Sequence, residues 1–328
     1  AGSLVEPPGS PSPLSPTFRT PGFLKYTCRA QCAKPFFPIM NISVIIPAYN
    51  RASVLGRALD SVFAQTRQAA EVIVVDDGSV DDTTELVRSR YPRVQYLRQD
   101  HRGVSAARNH GMQAARHEWL AFLDSDDEWL PGKLGRQCQV ILNKPDTRIC
   151  HTDETWIRRG RRVNPMKKHA KQGGYIFLHC LPRCVISPSS VLIHRTVLDR
   201  VGMFDETLPA CEDYDLWLRI CAQYPVTYIP EPLITKYGGH ADQLSRHFWG
   251  MDRFRIHALE KLVNREDLTS NKQEAVLLML LEKIRIVQQG ARKRGNHRLA
   301  DDCESKAVTY RELLQCTTRG AAKRPGHD

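Results

Sequence analysis

The chain has 328 residues, of which 41% are hydrophobic and 25% are charged, a composition typical of a globular protein rather than a disordered or fibrous one. This length allows one large domain or two small ones. Apolar runs such as residues 275–281 are far shorter than the ~20 residues that cross a bilayer, so we predict no transmembrane span. The formal net charge of +11 indicates an anionic partner without distinguishing a nucleotide from a phospholipid surface or a nucleic acid.

Ten cysteines are scattered along the chain without a regular framework. A chain of this length does not need disulfides to fold, which favours reduced thiols. The pairs Cys28/Cys32 and Cys180/Cys184 have four-residue spacing, whereas structural zinc sites usually combine two ligand pairs in tighter arrays. The cysteine pattern therefore does not favour a zinc site.

The first 39 residues contain eight of the twenty prolines, together with Gly and Ser. Such a segment cannot bury enough apolar surface to fold, so we predict that residues 1–39 form a disordered tail. The segment does not resemble a secretory signal, because it has no basic start followed by an apolar core. Since Met40 directly precedes the first predicted strand, we expect it to be the native start.

From residue 41 the pattern changes to β-branched strands that alternate with amphipathic helices. The predicted strands cover residues 42–46, 72–75, 94–97 and 119–123. The predicted helices lie near Leu55–Val62, at 82–90 with a cap from Ser79, and at 105–116. A βαβαβαβ series of this kind forms a parallel sheet with right-handed crossovers.

Beyond Pro131 the pattern is less regular and predicts the second half of one α/β domain, so that this domain covers residues 40–245. Its predicted elements are a helix to about residue 142, strands around 148–157, 185–194, 226–229 and 233–237, and a helix near 213–224. Residues 246–316 are predicted to form a helical appendage with a core-facing stripe at Leu277, Leu280, Leu281 and Ile284. Residues 317–328 are predicted to be a loose basic tail.

Carboxylates follow two of the predicted strands, where parallel α/β sheets bind their ligands. Strand 72–75 runs into Asp76 and Asp77, and strand 119–123 runs into the sequence Asp-Ser-Asp-Asp at 124–127. The chain has neither a Gly-x-Gly-x-x-Gly motif after a strand nor a P-loop, so a nucleotide would not be held as in dehydrogenases or P-loop enzymes. Acids separated by one residue suit Mg²⁺ or Mn²⁺ bridging to phosphates, although capping of the next helix by Asp126 or Asp127 is the alternative.

Five motifs stand in order over residues 41–245: SVIIPAYN at 43–50, VDDGS at 75–79, GVSAARNHG at 103–111, FLDSDD at 122–127 and CEDYDLWLR at 211–219. Together they resemble the family 2 glycosyltransferases, which have the GT-A fold. The predicted appendage lies outside this resemblance. The resemblance implies a GT-A-like α/β fold and inverting transfer of a sugar from a nucleoside-diphosphate sugar, commonly a UDP-sugar, to an acceptor hydroxyl.

The resemblance also implies which residues bind the nucleotide sugar: Pro47, Tyr49, Asp76, Asp77, Arg108, Asn109, Asp124 and Ser125. Asp77 is expected to accept hydrogen bonds from the base or ribose, with help from Asp76. Tyr49 would offer a partly apolar face beside the base. Ordinary packing of Tyr49 and pairing of Arg108 with a loop carboxylate are the alternatives.

A divalent cation, Mn²⁺ or Mg²⁺, is implied at Asp124, Asp126 and His240, where it would neutralise charge on the departing diphosphate. His240 follows the last predicted strand, and the alternative is an ordinary surface histidine. Ser189 and Ser190 resemble an acceptor-side motif, with a plain turn after Pro188 as the alternative.

Asp213 is the candidate general base. It stands at i with Leu216, Trp217 and Ile220 at i+3, i+4 and i+7, so it shares the inward face of its predicted helix, in agreement with the Glu-Asp motif of the family. Asp215 is rotated away by roughly 200° and is expected to matter much less. Capping of the helix by Glu212 or Asp213 is the alternative.

The leading hypothesis is therefore a metal-dependent glycosyltransferase in polysaccharide or glycoconjugate assembly, with a glycan or lipid-linked acceptor. Basic stretches at 158–171 and 292–294 suit either a peripheral contact with an anionic membrane or a solvated surface, and we expect a cytoplasmic location. A metal-dependent nucleotidyltransferase is a second hypothesis, but it does not explain Glu212 and Asp213. A non-enzymatic anion-binding or nucleic-acid-binding protein is a third, although no specific nucleic-acid module is apparent.

Overall fold

The computed structural model describes residues 40–164, 169–239 and 248–322. The predicted tail at 1–39 and His240 lie outside the described residues. The strands are β1 Ile42–Ala48, β2 Glu71–Asp76, β3 Gln95–Arg98, β4 Trp119–Phe122, β5 Glu128–Trp129, β6 Ile149–Arg158, β7 Arg161–Val163, β8 Val191–His194 and β9 Thr227–Gly238. The helices are α1 Leu55–Phe63, α2 Thr83–Arg90, α3 Val104–Ala114, α4 Lys133–Asn143, α5 Phe177–Cys180, α6 Arg195–Val201, α7 Glu212–Cys221, α8 Asp252–Val263, α9 Ser270–Lys293 and α10 His297–Ala322.

The described strands form one sheet in the order β3-β2-β1-β4-β8-β6-β9-β5, and β7 pairs with β6 off this path. The first four strands are mutually parallel, as the βαβ pattern predicts. Strand β8 is antiparallel to both β4 and β6, whereas β6 and β9 are parallel. The predicted α/β fold, with a mostly parallel sheet flanked by helices and a helical C-terminal region, is confirmed.

Alternate residues of each strand point to opposite faces of the sheet, and each face is covered by its own hydrophobic cluster. In β1, Val44 and Ile46 face one hydrophobic cluster with α1, and Ile45 faces a second cluster with α3. Helix α3 comes very close to β1 at Gly111, where an added Cβ would lie 2.5 Å from Cγ2 of Ile45. Only glycine permits this approach, which brings the residues of α3 to the end of the sheet where the strands finish.

Three local predictions were wrong. The strand predicted around 185–194 is limited to β8 at Val191–His194, because Pro188–Ser190 forms a 3₁₀ turn. Ser79 does not cap α2: its hydroxyl accepts a hydrogen bond from the backbone N–H of Asn50, and the carboxylate of Asp81 accepts one from the N–H of Thr83 instead. The two strands predicted at 226–229 and 233–237 form the single strand β9. A register shift opposite Asp153 absorbs the prolines of β9, because proline cannot donate to a ladder.

The C-terminal helices share a core with the sheet. Leu277, Leu280 and Ile284 of α9 belong to the same buried cluster as Leu216 of α7, and Leu281 is only partly buried. Helix α10 continues to Ala322, so part of the predicted basic tail at 317–328 is helical, and residues 323–328 lie outside the described chain. No helix in the described ranges is both long and apolar enough to cross a membrane.

Candidate active site

One buried guanidinium links the end of β4 to the start of α7. Arg108 lies in α3, where its Nη2 donates to Oδ1 of Asp124 and its Nη1 donates to Oε1 of Glu212, both at 2.7 Å. Burial would raise the pKa of Asp124, but the charges of Arg108 and Lys236 lower it overall. The structure thus supports the alternative in which Arg108 pairs with a loop carboxylate, and it brings Asp124 close to the Glu-Asp pair of α7.

The other acids of this loop have pKa values shifted upwards. Burial, followed by the charge of Asp124, raises the pKa of Asp126. Burial raises the pKa of Asp127 to about 7, although the charge of Lys236 opposes the shift. Neither acid caps α4, whose preceding residue, Gly132, lacks a side-chain cap. Asp127 instead accepts a hydrogen bond of 2.6 Å from the hydroxyl of Ser189.

Ser189 supports the loop from the opposite side. It lies in a short 3₁₀ turn, Pro188–Ser190, as the plain-turn alternative expects. Its hydroxyl accepts a hydrogen bond from the N–H of Asp124, and its carbonyl accepts one from Nε1 of Trp129. The loop is therefore fixed at both ends, while the carboxylates of Asp124 and Asp126 stay partly exposed.

The pair Asp124 and Asp126 fits a hard divalent cation. Both side chains supply the oxygen ligands that Mg²⁺ and Mn²⁺ prefer, and each is open to solvent on one side. The charge of Asp124 raises the pKa of Asp126, a repulsion that a cation between them would relieve. Within the described ranges no group of three or more His, Cys, Asp and Glu side chains is arranged to hold a metal, and the predicted ligand His240 is outside those ranges.

Asp213 is the second residue of α7, and Cys211, the residue before the helix, has a positive φ of 62° that turns the chain into it. The Asp213 side chain is partly exposed, whereas its predicted face-mates Leu216, Trp217 and Ile220 are buried. Its Oδ1 accepts a hydrogen bond from the N–H of Tyr214 at 2.7 Å. Asp213 therefore lies at the solvent-facing end of the face predicted for it, where it is available to a substrate.

Asp215 occupies a different side of α7, but it is not a surface residue. It is buried, and its carboxylate contacts Arg219 and Lys261, each at 2.8 Å. The expectation that Asp215 matters little therefore applies only to catalysis, because the side chain ties α7 to α8. Glu212 is also buried, and its carboxylate is occupied by Arg108.

Lys236 is a charged member of the site that sequence reasoning missed. Its Nζ lies 3.8 Å from Oδ2 of Asp127. Burial would lower the pKa of Lys236, but the charges of Asp127, Glu154, Asp124 and Asp213 raise it well above its usual range. The ammonium therefore contacts one carboxylate of the loop at 124–127 that follows β4 (the β4 loop) and is influenced by the charges of acids on β6 and α7. Its position in an ordinary-looking strand provides no motif that would have identified it.

The predicted nucleotide residues of the first two motifs differ in their availability. Pro47 is buried in β1, whereas Tyr49 is 40% exposed and stacks on His101 with ring centroids 3.9 Å apart. Asp76 is fully buried and accepts hydrogen bonds from Ser79, Thr84 and Tyr96. A stacked pair of rings, Tyr49 and His101, thus lies partly exposed to solvent at the end of β1. The carboxylate of Asp76, by contrast, is already hydrogen-bonded to other side chains and backbone of the protein.

Asp77 organises the loop that follows β3. Its carboxylate accepts hydrogen bonds from the N–H groups of Arg102 and Gly103 at 2.9 and 2.8 Å, and it contacts Nδ1 of His101 at 2.8 Å. Asn109 bonds through its side-chain amide to both the carbonyl and the N–H of Phe204. Ser125 is buried beside Asp124. Asp77 and Asn109 therefore already hold protein groups, and nucleotide contacts by these three residues stay predictions.

A cavity of about 480 Å³ lies between α1 and β5, behind the β4 loop. It contains none of the predicted donor residues, so we do not assign the nucleotide to it. Its lining residue Arg57 donates from Nη2 to the carbonyl of Asp126 at 2.6 Å and stacks on Tyr237 at 3.7 Å. The cavity wall therefore helps to fix the loop that carries the candidate metal ligands.

Comparison with known proteins identifies the family. The model for glycosyl transferase family 2 matches residues 43–201, and the model for glycosyltransferase-like family 2 matches residues 177–272. An uncharacterized glycosyltransferase of Rickettsia prowazekii is 31% identical over 249 residues, which are 72% of this chain and 74% of that protein. Succinoglycan biosynthesis protein ExoU of Rhizobium meliloti is 32% identical over 196 residues, 56% of this chain and 57% of that protein.

The chain spans only about a third of two other relatives, uncharacterized glycosyltransferases of Rickettsia felis and Rickettsia bellii, of which it covers 35% and 31%. Among solved structures, S. aureus TarS 1-349 in complex with UDP-GlcNAc superimposes with a TM-score of 0.62, covering 86% of this chain and 92% of that one at 15% identity. This likeness confirms the GT-A-like fold. The Rickettsia prowazekii relative, together with the two family models, shows that the chain belongs to glycosyltransferase family 2.

Proposed function

We propose that this protein transfers a sugar, with inversion, from a UDP-sugar to a hydroxyl of a glycan or lipid-linked acceptor in polysaccharide or glycoconjugate assembly. The observation that carries the proposal is the Arg108 bridge, whose guanidinium contacts both Asp124 after β4 and Glu212, the residue directly before Asp213 in α7. The named relatives support it, since TarS was crystallised with UDP-GlcNAc and ExoU takes part in succinoglycan biosynthesis.

In the proposed reaction, Asp213 accepts the proton of the acceptor hydroxyl as that oxygen attacks the anomeric carbon. Attack from the face opposite the diphosphate inverts the configuration at this carbon. Asp213 is partly exposed and belongs to the electrostatic surroundings of Lys236, together with Asp124. The donor diphosphate is proposed to lie by Asp124 and Asp126, with the acceptor on the side of Asp213.

We further propose that Asp124 and Asp126 hold Mn²⁺ or Mg²⁺ together with the donor diphosphate. The oxygen donor set and the raised pKa of Asp126, caused by burial and the charge of Asp124, support this assignment. When bound, the cation would neutralise charge on the leaving diphosphate. His240 stays a predicted third ligand.

The test separates donor binding from chemistry. UDP with Mn²⁺ should raise the melting temperature, and EDTA should remove that effect, because a ligand that binds only the native state stabilises it. A panel of nucleotide sugars, assayed for slow hydrolysis with Mn²⁺, would identify the donor. Equal affinity for UDP with and without metal, measured by calorimetry, would refute the coupling between metal and donor.

Conservative variants divide the proposed roles. Asp213→Asn should keep binding of UDP and metal but lose about 10²–10⁴ in kcat, because the amide keeps the shape and cannot accept the proton. Asp124→Asn and Asp126→Asn should instead weaken metal-dependent donor binding. Asp302→Asn, an exposed acid on α10, is the matched control and should behave as wild type. Near-normal kcat in Asp213→Asn would disprove the assignment of the base.

A peripheral contact with an anionic membrane surface and a cytoplasmic location are also part of the proposal. The hairpin of β6 and β7 supports this contact, since it presents four exposed arginines, Arg158, Arg159, Arg161 and Arg162. Lys171 does not belong to this surface, because its ammonium is paired with Glu154 at 2.6 Å. Co-sedimentation with anionic but not neutral vesicles, reduced in Arg161→Glu/Arg162→Glu, is the expected result. Equal sedimentation with both kinds of vesicle would contradict it.

A further inference from the structure

The thiol of Cys184 contacts the candidate base. Cys184 lies between α5 and β8, and its Sγ is 3.2 Å from Oδ2 of Asp213 and 3.2 Å from the carbonyl oxygen of Ile186. A thiol carries one proton and so donates to one acceptor at a time, and a charged carboxylate is the stronger of these two acceptors. Burial, followed by the charge of Asp213, raises the pKa of the Cys184 thiol well above its usual range, so this thiol stays protonated.

Both oxygens of Asp213 therefore have a donor from the protein. Oδ1 is held by the N–H of Tyr214 within α7, and Oδ2 is held by Cys184 from a different segment of the chain. The terminal torsion of an aspartate side chain is otherwise broad, so two donors from different directions define the plane of the carboxylate. A general base needs such a fixed orientation, because it acts only when its oxygen lies within hydrogen-bond reach of the proton it accepts.

We propose that Cys184 is a positioning residue for glycosyl transfer, whose thiol holds Oδ2 of Asp213 and turns the remaining lone pairs of the carboxylate towards the acceptor hydroxyl. The inference rests on the proposed function, in which Asp213 is the general base. A thiol is a weak donor. It orients the carboxylate while withdrawing less of its basicity than a hydroxyl or an amide at the same place would.

The surroundings of this pair provide a matched control. The charged and titratable groups that face it are Glu212, Tyr214, Lys236 and the thiols of Cys180 and Cys211. Cys180 is buried at the end of α5, and its Sγ contacts Cys221 at 3.9 Å rather than Asp213. Removing Cys180 therefore deletes a neighbouring thiol without deleting a hydrogen bond to the base.

The experiment compares Cys184→Ala, Cys184→Ser and Cys180→Ala in the full chain, with kcat, donor KM and UDP affinity measured from pH 5 to 9. Cys184→Ala should lose roughly 10- to 100-fold in kcat at unchanged donor KM and UDP affinity, as expected for a misplaced catalytic group. Cys184→Ser should recover most of kcat at high pH and shift the acidic limb of the kcat profile to lower pH, because its hydroxyl donates more strongly. Cys180→Ala should retain the wild-type profile.

Two results would overturn the inference while leaving the proposed function intact. One is a wild-type kcat and pH profile in Cys184→Ala alongside an inactive Asp213→Asn. The other is an equal loss of kcat in Cys180→Ala and Cys184→Ala, which would show a general packing effect. Turnover by Asp213→Asn at the wild-type rate would overturn both the base assignment and the function of Cys184. If Cys184→Ala does not fold, the pH profile of Cys184→Ser decides, and an unshifted acidic limb would reject the inference.

Discussion

Replacement of Arg108 by methionine tests whether the bridge at the centre of the site holds the protein together. The Arg108 side chain is 4% exposed and lies between Asp124 and Glu212, whose side chains are 24% and 6% exposed. Arg108→Met keeps most of the volume but leaves both carboxylates without their guanidinium. Removing one partner of a buried ion pair typically costs about 3–5 kcal/mol, because a buried charge is left uncompensated.

The pH dependence of this loss follows from Glu212. Burial, followed by the charge of Asp213, already raises the pKa of Glu212 above 4.5 in the folded protein, and the charge of Arg108 opposes that rise. Without Arg108 the folded-state pKa rises further, while the unfolded-state pKa is unchanged. A carboxyl group whose pKa is higher in the folded state does not destabilise the fold at a pH where it is protonated in both states. As the pH rises above its unfolded-state pKa, the unfolded state loses the proton more easily, and the free energy of unfolding falls. The deficit of Arg108→Met should therefore grow between about pH 5 and pH 8.

Urea denaturation at pH 5 and pH 8 measures both effects, and the double variant Arg108→Met/Glu212→Gln should recover part of the stability lost at pH 8. Arg285→Met is the control, because Arg285 and Glu282 form a solvent-exposed pair on α9 whose loss should leave the unfolding curve almost unchanged. A deficit of less than about 1 kcal/mol for Arg108→Met, with no dependence on pH, would refute the reasoning.

Two further substitutions test buried charges away from the reacting groups. Asp215→Asn removes the carboxylate that Arg219 and Lys261 share, while Lys261 keeps its contact with Asp205. It should lower the free energy of unfolding by about 1–3 kcal/mol in urea, with kcat of the folded enzyme changed less than about twofold. A large loss of kcat at wild-type stability would contradict this. Lys133 is fully buried against Gln137, and burial lowers its pKa to about 7, so Lys133→Met should stabilise the protein by about 1–4 kcal/mol at pH 7. That advantage should shrink as the pH rises and be lost past 10.5, where lysine loses its proton in the unfolded state as well, and an advantage independent of pH would argue against the buried ammonium.

The first half of the fold was predictable because three of its four strands, β1, β2 and β4, are buried along their whole length. The apolar runs of these strands are interrupted only by Ser43 and by the terminal acids Glu71 and Asp76. Helix α1 between β1 and β2 carries a regular apolar stripe, so the predicted bounds lie within a few residues of the observed ones. The later strands depend on partners far along the chain. Strand β9 contains two prolines that suggest a break, and only its pairing with β6 shows that the strand continues through a bulge.

The residues of the candidate site also fall into a group that local sequence predicts and a group that it does not. Asp124, Asp126 and Asp213 lie in motifs that follow strands or begin a helix, and local sequence was enough to select them. The partners of these acids are single residues brought in by the tertiary fold: Arg108 and Glu212 are 104 positions apart, and Cys184 and Asp213 are 29 apart. Pairs at such separations leave no periodic pattern in one sequence, so Lys236 and Cys184 could be found only in three dimensions.

The shared core of α7 and the C-terminal helices affects how the protein is made. Trp217 of α7 packs in one buried cluster with Leu259 of α8 and Leu277 of α9, which are translated later. Because a nascent chain folds from its N-terminal part first, the parallel half of the sheet can assemble while one apolar face of α7 is still uncovered. The helix that carries Asp213 therefore reaches its final packing only after α9 has left the ribosome. Until then, its exposed apolar face is a binding site for chaperones and a point at which the growing chain is prone to aggregate.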